Sequence, residues 1–206
     1  MGRAGVFIDR DGTVIEEVGY LDDADRLRLL PRAAEAIRIL NEAGAVTILV
    51  SNQSGVARGY FPESRVKEVH DRLLRMLGEE GARLDAIYYC PHHPEFGPPD
   101  LKIACDCRKP GTGMIERGLA AFDLDAARAY VVGDKLTDVA CAHAAGSTGV
   151  LVRTGYGSRE QERRPEGAGT TPDHEAADLF DAAAWILSRE RERGAAEEEG
   201  ETACKT

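Results

Sequence analysis

The sequence predicts an α/β fold of three layers, in which helices cover both faces of a central parallel sheet. Short apolar runs alternate with longer segments whose apolar residues recur at helical spacing, a pattern typical of βαβ units. Asp9, Ser51, Cys90 and Asp134 each follow one of the apolar runs directly. Because ligands bind beyond the carboxyl ends of parallel strands, these residues predict a site at that edge of the sheet.

The apolar runs predict the strands, and the periodic segments predict the helices that connect them. Strands are expected at 6–8, 45–50, 84–89, 129–132 and 149–152, and helices at 31–44, 62–80, 113–122, 136–145 and 175–188. In the second helix, Val66, Val69, Leu73 and Leu77 share one face. Segments 14–30, 91–110 and 155–172 have no sustained period and are expected to be irregular.

Composition limits the possible partners and location of the protein. The 206 residues are 43% hydrophobic and 30% charged, as in ordinary soluble domains. We expect one domain at 1–188, with a loop at 90–107, and a charged, disordered tail at 189–206. The formal net charge of −10 argues against nucleic-acid and anionic-membrane partners. No apolar run approaches the length of a membrane span, so we expect a cytoplasmic location. We also expect a monomer, although nothing in the sequence determines the oligomeric state.

Two carboxylates follow the first strand in the stretch Asp9-Arg-Asp-Gly-Thr13. Close carboxylates repel each other unless a cation lies between them, and Mg²⁺ takes oxygen ligands that it shares with substrate phosphate. Asp9 could then attack phosphorus to form an aspartyl-phosphate. Asp11 would protonate the departing oxygen and later activate water. The alternative is a solvated turn after an edge strand.

Three further motifs would complete this site. Ser51 and the backbone N–H groups after it could hold phosphoryl oxygens, although Ser and Asn also favour strand-end turns. Lys109 would neutralise nucleophile and phosphate together; taken alone, it would be an ordinary surface lysine. Asp134 would be a metal ligand or a helix cap, Lys135 would reach phosphate or the acids, and Asp138 would support them. The predicted Mg²⁺ ligands are Asp9, Asp11 and Asp134.

Taken in chain order, D-x-D-G-T, then Ser51, then Lys109, then G-D-x-x-x-D resemble the four-part arrangement of the haloacid dehalogenase superfamily of phosphatases. The resemblance implies a Rossmann-like sandwich without a large cap domain. It also implies catalysis by Asp9, Asp11, Ser51 and Lys109. The family includes dehalogenases as well, but Asp11 favours phosphoryl transfer, where a departing alkoxide needs a proton.

A second constellation lies in the irregular segment after the third strand, in Cys90-Pro-His92 and Cys105-Asp-Cys107. Three cysteines and one histidine form a complete tetrahedral set of Zn²⁺ ligands, which leaves no open position and predicts a structural role. His93 is the rival for the histidine ligand, and coincidental reduced cysteines are the alternative. Cys141 is expected to be a small core residue, and Cys204 to have no role.

With this loop, the chain is similar to the family of D-glycero-D-manno-heptose 1,7-bisphosphate 7-phosphatases and their histidinol-phosphate phosphatase relatives. The matching stretches include Gly19-Tyr20, 51–59, 88–94, 105–110 and 133–135. The resemblance implies a phosphoric monoester hydrolase that acts on a small phosphorylated sugar, with histidinol phosphate or a non-catalytic zinc-stabilised module as alternatives. The implied substrate contacts are Glu17, Val18, Gly19, Tyr20, Ser51, Asn52, Gln53, Ser54, Arg108, Lys109 and Lys135.

Arg108 has an additional predicted role that follows from charge. A bisphosphate carries a second phosphate, and in an acidic protein that group needs a local cation. The planar fork of Arg108 suits a phosphate, and Arg58 is a weaker candidate. Histidinol phosphate carries an amine at the corresponding end and would gain nothing from Arg108.

Overall fold

A sheet of six parallel strands forms the centre of the protein. The structure, a computed structural model, describes residues 2–162 and 170–203. The strands in this part of the chain are β1 (Gly5–Ile8), β2 (Val46–Asn52), β3 (Ala86–Cys90), β4 (Ala129–Gly133), β5 (Thr148–Val152) and β6 (His174–Ala176). They lie in the order β3-β2-β1-β4-β5-β6, and every neighbouring pair is parallel.

Helices cover both faces of this sheet. They are α1 (Ala33–Glu42), α2 (Glu63–Glu79), α3 (Gly113–Phe122), α4 (Leu136–Ala144), α5 (Gly157–Glu162) and α6 (Leu179–Ala203). Successive strand residues point to opposite faces, so Val6 and Ile8 pack with α1, α2 and α6, whereas Phe7 packs with α3 and α4. Cys141 of α4 is buried in the second layer. The predicted three-layer α/β fold is confirmed.

The order of the strands brings the two main acidic motifs together. The chain builds β1, β2 and β3 outward in one direction and then crosses to place β4 on the other side of β1. Asp9 and Asp134 therefore follow neighbouring strands, and the backbone N–H of Asp9 donates to the carbonyl of Val132 at 2.9 Å. A reversal of strand order of this kind opens a crevice at the carboxyl edge.

The carboxyl-terminal part of the prediction was wrong. The expected helix at 175–188 begins only at Leu179, and β6 precedes it and pairs with β5. A three-residue edge strand that contains His174 and Glu175 has no apolar run that could reveal it. The expected loop at 155–172 contains α5, while 163–169 lie outside the described residues.

The predicted disordered tail is helical as far as Ala203. Glu190 holds this helix against the sheet, because it accepts hydrogen bonds from Arg128 at 2.6 Å and from the hydroxyl of Tyr130 at 2.7 Å. Burial raises the pKa of Tyr130 to about 12, and its hydrogen bond to Glu190 acts in the same direction. These contacts tie the helix to β4. Residues 204–206, including Cys204, lie outside the described residues.

Candidate active site

Lys109 and Asp9 form a buried ion pair at the end of β1. The ammonium of Lys109 donates to Asp9 Oδ1 and approaches Asp138 Oδ1, each at 2.6 Å, and also donates to the carbonyl of Val50 at 3.0 Å. Burial raises the pKa of Asp9 to about 6, while Lys109 opposes the shift. Burial alone would lower the pKa of Lys109, but Asp138 and Asp9 outweigh it and raise that pKa. Lys109 and Asp9 therefore form a pair of opposite charges although both side chains are buried.

Three carboxylates converge beside this lysine. Oxygen atoms of Asp9, Asp134 and Asp138 lie within 4.8 Å of one another, and all three side chains are buried. Asp134 Oδ2 accepts the backbone N–H of Tyr156 at 2.8 Å, whereas Asp134 Oδ1 is buried without a hydrogen-bond partner. Burial raises the pKa of Asp134 to about 7, and Asp9 adds to the effect. Such a group of buried oxygens suits a hard divalent cation.

Two glycines make room for Asp134. Gly12 and Gly155 both have positive φ, at +81° and +56°. A Cβ atom at either position would overlap Oδ2 of Asp134. The glycine of the D-x-D-G-T motif is thus required both by its backbone conformation and by the close approach of a carboxylate from the neighbouring strand.

Asp11 lies next to this cluster, but its carboxylate is not a member of it. Arg10 donates to Asp11 Oδ2 through Nε at 3.1 Å and to Oδ1 through Nη2 at 3.0 Å. Gln53 also donates to Asp11 Oδ2, at 2.9 Å. These donors turn the carboxylate away, and Asp138 takes the place expected for it beside Asp9 and Asp134.

The polar residues at the end of β2, together with Gln53, hold one another and the backbone of Lys109 in position. The hydroxyl of Ser51, 1% exposed, accepts from Gln53 Nε2 at 2.6 Å. The side-chain amide of Asn52 donates to the carbonyl of Lys109 and accepts from its N–H, both at 3.0 Å. Asn52, predicted as a substrate contact, therefore anchors the backbone that carries Lys109.

A cavity of about 400 Å³ opens over these groups. Of the predicted substrate contacts, Glu17, Gly19, Tyr20, Ser51, Asn52, Gln53, Ser54, Arg108, Lys109 and Lys135 line it. Val18 lies outside the lining, with 39% of its surface exposed. Lining residues that sequence reasoning missed are Arg10, Leu21, Gly55, Thr137 and Tyr156. The position of Arg10 between two acids was a usable signal, but Tyr156 lies in a segment without any pattern.

The four predicted zinc ligands come together at the end of β3. The Sγ atom of Cys105 lies 3.5 Å from that of Cys90 and 3.2 Å from that of Cys107. Nδ1 of His92 lies 3.7 Å from Cys90 Sγ and 3.4 Å from Cys107 Sγ. Tetrahedral Zn²⁺ with bonds of about 2.3 Å separates its sulfur ligands by about 3.8 Å, close to this spacing. His93 accepts the N–H of Glu95 and faces away.

Both predicted phosphate-binding arginines contact this loop. Arg108 donates to the carbonyl of His92 at 3.3 Å and also lines the cavity. Arg58 instead lies against His93, at 3.1 Å, and over the ring of Phe96, at 4.0 Å from its centre. Arg58 is therefore directed to the loop and away from the cavity lining, because an aromatic face and a ring nitrogen hold its guanidinium.

Comparison with known proteins identifies the family. A family model described as HAD-hydrolase-like matches residues 106–182. A D-glycero-D-manno-heptose-1,7-bisphosphate 7-phosphatase of Thermosynechococcus vestitus is 42% identical over 195 residues, which cover 91% of this chain and 97% of the relative. This chain belongs to the haloacid dehalogenase-like hydrolases. The D-glycero-beta-D-manno-heptose-1,7-bisphosphate 7-phosphatase of Escherichia coli strain K12 is 40% identical to this hydrolase over 151 residues, 73% of the chain and 79% of the relative.

Solved structures agree with this family. The D,D-heptose 1,7-bisphosphate phosphatase of B. bronchiseptica, complexed with magnesium and phosphate, is 34% identical with a TM-score of 0.79, and the match covers 90% of this hydrolase and 99% of that chain. The D,D-heptose 1,7-bisphosphate phosphatase of Burkholderia thailandensis is 28% identical with a TM-score of 0.67, at the same coverage. The predicted superfamily and enzyme class are confirmed. Among the described helices of this hydrolase, none has the length and apolar character needed to span a membrane.

Proposed function

We propose that this enzyme is a Mg²⁺-dependent phosphatase that removes the 7-phosphate of D-glycero-D-manno-heptose 1,7-bisphosphate through an aspartyl-phosphate. The observation that carries the proposal is the contact of Lys109 with Asp9 beside the buried carboxylates of Asp134 and Asp138. Burial of an unpaired carboxylate costs free energy. A cluster of three buried carboxylates therefore indicates a site that binds positive charge. The names of the relatives that span nearly the whole chain supply the substrate class.

In the first step, an oxygen of Asp9 forms a bond to phosphorus while the bond from phosphorus to the C7 oxygen breaks. Asp11 gives its proton to the C7 oxygen, which leaves as a hydroxyl group. Lys109 balances charge on Asp9 and on the transferred phosphoryl group. Ser51, at the end of β2, offers a hydroxyl toward the phosphoryl oxygens.

In the second step, a water oxygen forms a bond to phosphorus and the bond from phosphorus to Asp9 breaks. Asp11, now a carboxylate, takes the proton of that water, so inorganic phosphate leaves and both acids return to their starting states. The hydrogen bonds from Arg10 and Gln53 keep the Asp11 carboxylate beside Asp9 rather than bound between the buried acids. Asp11 is thus assigned to proton transfer and Asp138 to charge balance.

The acidic cluster fits a magnesium ion. Asp9 and Asp134 would hold it, since Asp134 Oδ1 is a buried oxygen without a hydrogen-bond partner and a divalent cation would satisfy it. When bound, the ion supplies positive charge that draws the nucleophile and the phosphate together.

The cysteine cluster fits a structural zinc ion. Cys90, His92, Cys105 and Cys107 would bind Zn²⁺ as a closed tetrahedral set, since their donor atoms already stand at nearly the required separation. The loop between Cys90 and Cys105 contains no helix or strand. Zinc would therefore hold this loop in one conformation, since no regular secondary structure does so.

A substrate comparison tests the proposal. Phosphate release from heptose 1,7-bisphosphate should exceed that from histidinol phosphate by about 100-fold in kcat/KM, since one hydrogen bond to a charged group is worth about 1.5–3 kcal/mol. Phosphorus NMR should show loss of the 7-phosphate signal. Preference for histidinol phosphate would establish the alternative substrate. A folded protein that cleaves neither compound nor p-nitrophenyl phosphate would overturn the assignment.

Arg108 gives a sharper test of the bisphosphate. Arg108→Ala should raise KM for heptose 1,7-bisphosphate by about tenfold, since it removes remote binding worth about 1.4 kcal/mol, and should change KM for p-nitrophenyl phosphate little. Lys102→Ala is the matched control, because Lys102 is an exposed cation of the same loop. Equal loss with both substrates would assign Arg108 to general site structure instead.

A further inference from the structure

Arg10 is a buried arginine at the centre of the active site. It is 1% exposed and is among the largest fully buried side chains of the described residues. Its Nε donates a hydrogen bond to Asp11 Oδ2 at 3.1 Å, and its Nη2 donates one to Asp11 Oδ1 at 3.0 Å. A two-pronged contact of this type fixes the direction of a carboxylate as well as its distance.

Gln53, the residue directly after β2, supports the same contact. Its Oε1 accepts from Arg10 Nη2 at 2.9 Å, while its Nε2 donates to Asp11 Oδ2 at 2.9 Å and to Ser51 Oγ at 2.6 Å. Arg10, Asp11 and Gln53 thus form a closed ring of hydrogen bonds. A closed ring restrains the rotation of each member more than a single bond would.

His70 of α2 supports Arg10 from behind. Nη1 of Arg10 lies 3.3 Å from Nε2 of His70. Arginine only donates, so Nε2 must accept and the ring proton belongs on Nδ1. His70 is 5% exposed, and burial lowers its pKa to about 3, with Arg10 acting in the same direction. His70 therefore remains a neutral acceptor under ordinary conditions.

Packing fixes the ring of His70 in turn. It meets the ring of Tyr89 edge to face, with centroids 5.5 Å apart, and the hydroxyl of Tyr89 donates to Glu63 Oε1 at 2.8 Å. His70 is not among the residues that line the described cavity. Its influence on the reaction must therefore pass through Arg10.

We propose that Arg10, oriented by His70, is a positioning residue that directs the carboxylate of Asp11 during proton transfer. This inference rests on the proposed function, in which Asp11 takes the proton of the water that attacks the aspartyl-phosphate. In that step the water oxygen bonds to phosphorus, the bond from phosphorus to Asp9 breaks, and the proton passes to Asp11. A misdirected carboxylate slows this step while the nucleophile stays intact.

An aryl phosphate separates the two steps. p-Nitrophenolate leaves without needing a proton, so phosphorylation of Asp9 stays fast when Asp11 is misdirected. Hydrolysis of the aspartyl-phosphate still needs the base, and it becomes rate-limiting. A defect in positioning thus appears as a burst of one p-nitrophenolate per active site, followed by slow turnover.

The decisive variants form a matched pair at His70. His70→Leu keeps volume but removes the acceptor, whereas His70→Gln places an amide oxygen near the position of Nε2. With p-nitrophenyl phosphate, His70→Leu should lower kcat about tenfold with little change in KM and should show the burst, because the lost interaction acts on a chemical step. His70→Gln should retain kcat within about threefold and show no burst.

Several outcomes would overturn the inference. They are wild-type kcat in His70→Leu, equal impairment of both variants, or a lower kcat without a burst. Thermal unfolding of each variant is measured alongside. If His70→Leu does not fold, Arg10→Met against Arg10→Lys replaces it, and equal kcat values in that pair contradict the proposal. Wild-type protein that releases no p-nitrophenolate would instead refute the proposed function.

Discussion

At the residue scale, the active site depends on an imbalance of charge around Lys109. Its ammonium contacts two carboxylates, Asp9 and Asp138, at 2.6 Å each, and the ammonium of Lys135 lies farther from the third carboxylate, at 3.9 Å from Asp134 Oδ1. Three buried acids face Lys109 and the partly exposed Lys135, so one negative charge remains in excess, which is unfavourable in a low-dielectric site. A divalent cation held by these acids would remove that excess and would supply positive charge for phosphate.

Replacement of the nucleophile tests this arrangement. Asp9→Asn should lower kcat by at least about 10⁴-fold, the scale of loss when a member of a catalytic unit is removed, since the amide has nearly the same shape but cannot bond to phosphorus. Its melting temperature should stay close to the wild-type value, because one carboxylate of the crowded cluster becomes neutral. Rates of phosphate release and thermal unfolding measure both effects. Rates near wild type in the folded variant would exclude the covalent route.

The sequence predicts the side chains of this site better than their contacts. Asp9, Lys109 and Asp134 come together as their motifs imply, because parallel strands end at one edge. Two contacts cannot be predicted from the local sequence. They are the hydrogen bonds of Asp11 with Arg10 and those of Asn52 with the backbone of Lys109. Both contacts join residues whose approach depends on the packing of whole strands.

At the element scale, predictability follows the strength of the local pattern. Residues 113–122 form α3 over the predicted bounds, since a buried helix needs an apolar stripe. β6 is three residues long and carries two polar residues, so pairing with β5 determines it rather than its own composition. The course of α6 beyond the predicted bound also depends on distant residues, because Glu190, in the middle of this helix, is held by residues more than 50 positions earlier.

The contacts of Glu190, in the middle of α6, can be tested by substitution. Glu190→Ala should lower the free energy of unfolding by about 1–3 kcal/mol, since the guanidinium of Arg128 and the hydroxyl of Tyr130 lose a partly buried partner. Glu192→Ala is the matched control on the exposed face of the same helix and should change it by less than about 0.5 kcal/mol. Urea unfolding of the two variants measures the difference, and equal values would contradict the role of Glu190.

The loop after β3 offers a second test. Cys107→Ser should lose bound zinc and melt about 10 °C below wild type, or about 3 kcal/mol for a chain of this size. Cys141→Ala should keep its zinc, since Cys141 lies outside the cluster. Metal analysis and thermal unfolding report both results. Protein that is prepared without chelator and contains no zinc would refute the structural site.

At the scale of the whole molecule, the described residues form two clusters of metal-binding type at the carboxyl edge of one sheet, with β2 between them. The oxygen cluster follows β1 and β4, and the sulfur cluster follows β3. Hard and soft donors select different ions, so one chain can hold both without exchange. The expected monomeric state and cytoplasmic location stay predictions, because neither follows from the shape of the site.

Stepwise metal removal would separate the two clusters. After a chelator has removed both ions, Zn²⁺ alone should restore the melting temperature but little activity, and Mg²⁺ added next should restore kcat. The physical reason is that only the oxygen cluster contacts the nucleophile. Phosphate release and thermal unfolding after each addition follow the two effects. Full activity in protein that contains neither ion would contradict both assignments.

Gly12 and Gly155 both lie against the carboxylate of Asp134. A single methyl group at either position would occupy the space of its Oδ2 atom. We therefore expect damaging substitutions at residues that take no part in the chemistry as well as at the reactive side chains. We expect substitutions at these two positions to impair the enzyme as substitutions of the acids do, because any side chain there would collide with a carboxylate of the site. The absence of a side chain is itself the functional feature, since Asp134 fills the space that a Cβ atom would take.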